Sequence, residues 1–249
     1  PVPPSGRVGT IVRAESTVRH ASPVCLEWSV ADFDEKGIEI SIPKDISGGE
    51  KLPPIRVRGY IDRVDILPMD ESTKEWLDPE GDESVAPLRV HGSGWRPRRL
   101  VAIRDLKTSE SKTAKIRHSD GLLDELQLAL YARAWEIAHP GDLVVAAGIS
   151  LFSHHTEHML ELSSQYSAAH RDLLLGTRTD ITTSLHRFPD EPASPHSDHF
   201  RAWLTQRLAV ALRVAAGAAA GRVHPIPSQG VCGYCPVRNA CEVRMEAGF

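Results

Sequence analysis

The sequence predicts an α/β fold, a mixed central sheet with helices on its faces. Three observations carry that expectation. Residues 55–67 (IRVRGYIDRVDIL), 98–108 (RRLVAIRDLKT) and 142–152 (DLVVAAGISLF) are apolar, β-branched runs of strand length. Between the second and third lies 120–138 (DGLLDELQLALYARAWEIA), where Leu123, Leu126, Leu130 and Ala134 recur at helical spacing and Pro140 and Gly141 follow the end. Strands, a helix and further strands in that order favour one sheet covered by helices over a helical bundle or an all-β sandwich.

The remaining elements follow from local pattern. Residues 23–32 (PVCLEWSVAD) and 37–42 (GIEISI) alternate like the two strands of a hairpin. Residues 68–97 are rich in Asp, Glu, Pro and Gly and read as a long excursion. Its HGSGW segment (91–95) is a turn and no phosphate loop, since no Gly-Lys-Ser/Thr opens a helix after it. After the 142–152 strand, 154–162 (HHTEHMLEL) pairs back as another strand. His154, His155 and His158 fall at that strand turn without an acidic pattern to fix a metal, and read as a polar hairpin. Residues 165–186 look helical, 187–197 form a Pro-rich loop, and 198–221 form a helix whose Ala-rich part, 209–220, serves packing. There is no internal repeat.

Composition narrows the class. A chain of 249 residues with 41% hydrophobic and 25% charged residues builds one sizeable core and at most two domains. The net charge of −4 does not advertise nucleic acid, although a local basic groove would suffice for it. No apolar run approaches the ~18 residues of a membrane span, and residues 1–13 lack the apolar core of a signal peptide. The expectation is a cytoplasmic protein with no membrane partner. The opening PVPPSG, without a methionine, reads as the start of a piece of a longer polypeptide.

Chemistry concentrates in two places. Asp105 and Lys107 lie two apart on a strand and so share a face. Alone, they read as a structural ion pair. Upstream, however, GYIDRVD places Asp62 in a second apolar strand, and carboxylates on adjacent strands can converge on one divalent cation such as Mg²⁺ or Mn²⁺. Lys107 would then hold a water or stabilise charge growing on a phosphate. Downstream, Gln127 and Tyr131 stand four apart on one helix face, suited to a substrate backbone. Arg96, Arg98, Arg99 and Arg104 cluster near Asp105, and Lys112, Lys115 and Arg117 follow Lys107. Each group reads either as contacts to DNA phosphates or as a solvated basic face. The second place is the C-terminal tail, where Cys232, Cys235 and Cys241 sit within ten residues, a clustering that favours metal over disulfides.

Taken in order, GYIDRVD, IRDLK, QLALY and C-x₂-C-x₅-C resemble the PD-(D/E)xK nuclease superfamily. The nearest branch is the RecB/AddB-type domains of helicase–nucleases, with the CRISPR-associated exonucleases that share their iron–sulfur staple. The motifs run from residue 59 to 241, so the resemblance covers most of the chain. It implies a restriction-endonuclease-like sheet in a single domain over 1–249, with 223–249 as a cluster-binding tail. By resemblance Asp62 and Asp105 are metal ligands, Lys107 is the catalytic lysine, and Gln127 and Tyr131 form the branch's Q-x₃-Y motif. The family site also carries an acidic residue or histidine on an earlier helix. His20 precedes Asp62 by a suitable distance but sits just before a strand; otherwise that helix lies upstream of Pro1 or is missing.

The resemblance further implies a [4Fe–4S] cluster that ties the two ends of the domain together through four cysteines. Cys232, Cys235 and Cys241 supply three. Cys25 is the candidate for the fourth in this chain, although its strand setting also suits an ordinary buried cysteine. The alternatives are a cysteine before Pro1, or zinc completed by His224 or water. The implied activity is a metal-dependent DNA exonuclease, acting on single strands or duplex ends. It would be fed by a helicase motor in the same or a partner chain, in double-strand break repair or recombination. The competing expectation is a catalytically silent nuclease-like domain that binds DNA or scaffolds a partner.

Overall fold

A computed structural model describes residues 22–44, 47, 49–67, 97–108, 124–152, 157–163, 181–186, 199–222 and 239. The elements in chain order are β1 (Ser22–Ser29), a one-turn helix α1 (Val30–Phe33), β2 (Ile38–Ile40), β3 (Ile55–Val57), β4 (Tyr60–Leu67), β5 (Arg99–Thr108), α2 (Leu126–Ala138), β6 (Asp142–Phe152), β7 (Glu157–Ser163), β8 (Ile181–His186) and α3 (His199–Ala219). Six strands form one sheet in the order β1-β4-β5-β6-β7-β8, and β2 and β3 form a small second sheet. The large sheet is mixed: β5 and β6 run parallel, as do β7 and β8, while the other neighbours are antiparallel. The predicted fold class is the one observed.

The chain divides into two compact units, Pro1–Leu212 and Arg213–Phe249. In the second, the helix end closes with Gly221 at φ +71° and the Arg222 N–H bonded to the Gly217 carbonyl at 2.8 Å. The sheet belongs to the first. All eleven residues of β6 are buried, as expected of a central strand covered on both faces. A parallel β5–β6 pair cannot be joined by a tight turn, and the chain returns through α2. One core gathers Val64, Val101, Ile103 and Ala147 from the sheet against Leu128 and Trp135 of α2. Phe200 and Trp203, at the start of α3, join the same core. Among the described residues no helix is long and apolar enough to cross a membrane.

Four local expectations are corrected. β1 and β2 make no hairpin with each other: β1 pairs with β4, and β2 with β3. Ser29 caps α1 by accepting the Ala31 N–H at 3.2 Å, and the Val30 N–H reaches the Gly59 carbonyl at 3.0 Å. That turn carries the chain out of the large sheet. The 55–67 run is two strands, because Gly59 (φ +149°) breaks the pleat between β3 and β4. The helix expected over 165–186 ends in a strand: Ile181–His186 (ITTSLH) is β-branched and pairs with β7, while 164–180 lie outside the described residues. The buried stripe of α2 runs through Leu128, Ala132 and Trp135, whereas Leu126 and Leu130 are only half-buried.

Three buried ionic clusters set the register of these pieces. Asp142 accepts both Arg99 Nε and Arg99 Nη2 at 2.7 Å and Trp135 Nε1 at 3.0 Å, tying β5, β6 and α2 at one end of the sheet. Trp135 in turn stacks on His139 (3.7 Å between centroids) and meets Trp28 edge-on. Glu136 accepts Arg201 Nη1 at 2.6 Å, Arg201 Nη2 at 3.1 Å and the Val144 N–H at 3.1 Å. Arg201 also donates to the Val144 carbonyl at 3.0 Å, so α2, β6 and α3 meet at one buried pair. Asp65, fully buried, accepts Arg63 Nε at 2.8 Å, and Arg104 Nε lies 3.3 Å from its other oxygen. Arg104 is buried against Asp65 and is neither a solvated residue nor placed to meet a phosphate, whereas Arg99, half-exposed, has Nε and Nη2 engaged by Asp142.

Candidate active site

β5 explains why charge gathers where a core strand ends. Its residues are buried from Leu100 through Asp105, then Leu106 and Thr108 are exposed. Asp105 is thus the last buried residue of the strand, which stays paired with β6 as far as Thr108. Asp105 and Lys107 alternate with Leu106 and share the face that carries Val101 and Ile103 into the core. Lys107 Nζ donates to Asp105 Oδ1 at 3.0 Å and lies 2.8 Å from Oδ2. The Lys107 side chain keeps 42% of its exposure, so the ammonium faces both its carboxylate and solvent.

Asp62 arrives from β4. The antiparallel β4–β5 register pairs Arg63 with Arg104, and one step further sets Asp62 opposite Asp105. There the Asp62 carboxylate takes over from the ladder, with Oδ2 accepting the Leu106 N–H at 2.7 Å. The two carboxylates come within hydrogen-bonding reach of one another. The Arg63–Asp65–Arg104 cluster, on the other face of the same strand pair, locks this register. That matters because a slip of one residue would turn Asp62 to the opposite face.

α2 completes the site. Glu125 caps it by accepting the Gln127 N–H at 3.1 Å, and Gln127 Nε2 donates to Tyr131 Oη at 3.1 Å one turn later. Tyr131 leans over Gly59: a methyl built at Gly59 would lie 2.6 Å from the phenol oxygen. Glycine is needed there for its positive φ and for that close approach. Lys107 also feels the charge of Asp62 and Tyr131. The five residues singled out in the sequence, Asp62, Asp105, Lys107, Gln127 and Tyr131, therefore meet at the end of β5. The contribution of Gly59 and of the Asp65 cluster is visible only in the fold; the available signals were a glycine just before the strand and Arg63 and Asp65 two apart on it.

Burial raises the Asp105 carboxyl above its ordinary value of 3.8; the hydrogen bond and charge of Lys107 oppose this, and Asp62 adds to it. Burial pulls the Lys107 ammonium down, but Asp105, Asp62 and Tyr131 outweigh it, so Lys107 titrates above 10.5 and is a cation at neutral pH. Both shifts run upward, so burial disfavours the charged form at Asp105 while the neighbouring groups favour it at Lys107. Ionised carboxylates facing each other repel unless a cation sits between them. The donor set, two hard carboxylate oxygens beside solvent, suits a small divalent cation that keeps several waters. Among the described residues no group of three or more His, Cys, Asp and Glu forms a fuller ligand set.

A consequence is pH-dependent metal affinity. A cation at this site competes with the proton that the raised Asp105 carboxyl retains. Calorimetric titration is expected to show Mn²⁺ affinity falling as Asp105 protonates, from a higher pH than at a site of unperturbed aspartates. Affinity that does not fall as pH is lowered through the carboxylate range would place the metal elsewhere.

The other sequence candidates stand apart from this cluster or outside what is described. Cys25 lies in β1 opposite Val64, half-buried against the core. His20, Cys232, Cys235 and Cys241, the tail at 223–249 except residue 239, and the basic residues Arg96, Lys112, Lys115 and Arg117 lie outside the described residues, as do His154, His155 and His224. His158 is in β7, at the Cα position paired with Leu151.

A family model of the PD-(D/E)XK nuclease superfamily matches residues 89–242, more than half of the chain. The matched span takes in Asp105, Lys107, Gln127, Tyr131 and the three tail cysteines, whereas Asp62 precedes it. No curated protein and no solved structure matches the chain.

Proposed function

The chain belongs to the PD-(D/E)XK nuclease superfamily, and from that membership we propose that it is a divalent-metal-dependent deoxyribonuclease whose active centre is Asp62, Asp105 and Lys107. The observation that carries the proposal is the convergence of two carboxylates, an ammonium, an amide and a phenol at the end of one strand. A silent scaffold has no need of that set, and the buried repulsion between Asp62 and Asp105 would be a cost without return.

Asp62 and Asp105 would hold the Mg²⁺ or Mn²⁺. When bound, the cation supplies a Lewis acid for the phosphoryl oxygens and a nucleophilic water at neutral pH. Asp62 is held for this task by the Leu106 N–H, which fixes one of its two oxygens. Lys107, cationic and half-exposed, stabilises the negative charge that grows on the phosphate as the water oxygen bonds to phosphorus and the bond to the departing sugar oxygen breaks. Gln127 and Tyr131 hold the nucleic-acid backbone so that this phosphate meets Lys107.

The wider assignment is part of the same proposal. Motif order and the cysteine tail support a RecB/AddB-type module, exonucleolytic on single-stranded or end DNA. It would be coupled to a helicase motor in the same or a partner chain and serve break repair or recombination in the reducing cytoplasm. Cys232, Cys235 and Cys241 would hold the [4Fe–4S] staple, with Cys25 or a cysteine outside this sequence as the fourth ligand. Iron and sulfide analysis of anaerobically prepared protein tests that point, and stoichiometric zinc without iron would contradict it.

The test of function is cleavage of end-labelled single-stranded and duplex oligonucleotides. Product is expected with Mg²⁺ or Mn²⁺ and none with chelator. Absence of cleavage with either metal, on either substrate, would return the protein to the scaffold reading.

A further inference from the structure

The GYID segment contains one residue that the proposed chemistry does not use. Tyr60 opens β4 and is 65% exposed, while Ile61 beside it is 1% exposed. Alternation along the strand therefore puts Tyr60 on the same face as Asp62, about 7 Å away along the chain. A single exposed tyrosine is ordinary on a protein surface. This one is different in its mounting. Its backbone pairs with Ser29 of β1, and the preceding Gly59 is pinned twice, by the Val30 N–H on its carbonyl and by Tyr131 Oη packed over its Cα. The ring thus stands on fixed backbone beside the site, one residue from the Gly59 that Tyr131 covers and two from Asp62. Across Gly59, Arg58 is exposed.

We propose that Tyr60 is a stacking platform for the base of a nucleotide at or next to the scissile phosphate, with Arg58 on a neighbouring phosphate, and that this platform directs the site to unpaired strands. The inference rests on the nuclease reading and names its substrate class. The span from Asp62 to Tyr60 is the reach from a backbone phosphate to a base of the same or the adjoining nucleotide. A base inside a duplex has both faces covered by its neighbours, so an aromatic platform beside the cleaved phosphate is used only by a base that is already splayed out, in a single strand or a frayed end. Stacking does not depend on which base is present, so the platform selects strandedness and not sequence.

Binding isolates the effect from catalysis. Full-length Asp105→Asn protein, with and without Tyr60→Ala, is titrated by fluorescence anisotropy with a single-stranded oligonucleotide, the blunt duplex of the same sequence, and the same single strand made of abasic residues. Tyr60→Ala is expected to weaken binding of the normal single strand by about 5- to 100-fold, and that of the duplex and the abasic strand by less than about twofold. Tyr60→Phe, which keeps the ring, restores the single-strand affinity. Equal losses on normal and abasic strands, or no loss on either, would overturn the platform, and an unchanged melting temperature for Tyr60→Ala excludes a folding defect. The two failures separate cleanly. A parent protein that cuts single strands and is indifferent to Tyr60 sinks this inference alone, whereas a parent that neither cuts nor binds DNA sinks the nuclease reading beneath it.

Discussion

Asp105→Asn is expected to abolish metal-dependent cleavage, lowering the single-turnover rate by about a thousandfold or more, equivalent to at least about 4 kcal/mol of transition-state stabilisation. The substitution keeps the shape of the side chain and removes one of the two charges that would hold the cation. It also strips the charge from the acceptor of the 3.0 Å hydrogen bond that aims Lys107. The fold is expected to tolerate the change. Because burial raises the Asp105 carboxyl, folding favours its neutral form relative to the unfolded chain. That contribution is fully present below the unfolded pKa and is already lost as pH rises through the folded value. At neutral pH a neutral amide therefore forfeits none of it, and the melting temperature is expected to stay within a few degrees of the parent. Cleavage at the parent rate by well-folded Asp105→Asn protein would remove Asp105 from the active centre.

The largest effect on stability is expected far from the chemistry. Arg201→Ala leaves Glu136, fully buried, without its bidentate partner and strips the Val144 carbonyl of a donor. Arg133, 3.4 Å from Glu136, compensates only in part, because burial already disfavours its charge. Breaking a buried pair from one side costs about 3–5 kcal/mol, and for a chain of this size that lowers the melting temperature by roughly 6–20 °C. Scanning calorimetry reads it directly. A shift of less than about 2 °C would mean that water or another side chain fills the place of the guanidinium. By contrast, the Asp124–Arg207 pair, at 2.9 Å, is expected to matter little to stability, since Asp124 is 81% exposed and solvent screens its charge.

The residues that meet at the candidate site were legible in the sequence because their signals are local. Asp105 and Lys107 are separated by one residue on an apolar strand, and Gln127 and Tyr131 by one helical turn, so period alone puts each pair on one face. Asp62 was legible as an acid intruding on a second apolar strand. What was not legible is long-range. Alternation in 23–32 and 37–42 shows that both are extended but not which strand each pairs with, and the Ser29 cap with the Gly59 carbonyl diverts the chain between them. The arginines near Asp105 have the same charge whether they meet DNA or an internal carboxylate. Only the pairing of β5 with β4 and β6 shows Arg104 beside Asp65 and Arg99 on Asp142. The Ile181–His186 strand was absorbed into a helical reading of the residues before it, because a short polar β-branched run is decided by the neighbour it pairs with.

The central claim is that Asp62 and Asp105, brought opposite each other by the β4–β5 register, share one divalent cation. Calorimetric titration of Mn²⁺ into the parent, Asp62→Asn and Asp105→Asn proteins at neutral pH tests it most directly. The account predicts a binding event in the parent that is lost or weakened at least about tenfold in both single variants, worth about 1.4 kcal/mol or more from each carboxylate. Binding in the parent that survives unchanged in both variants would contradict it.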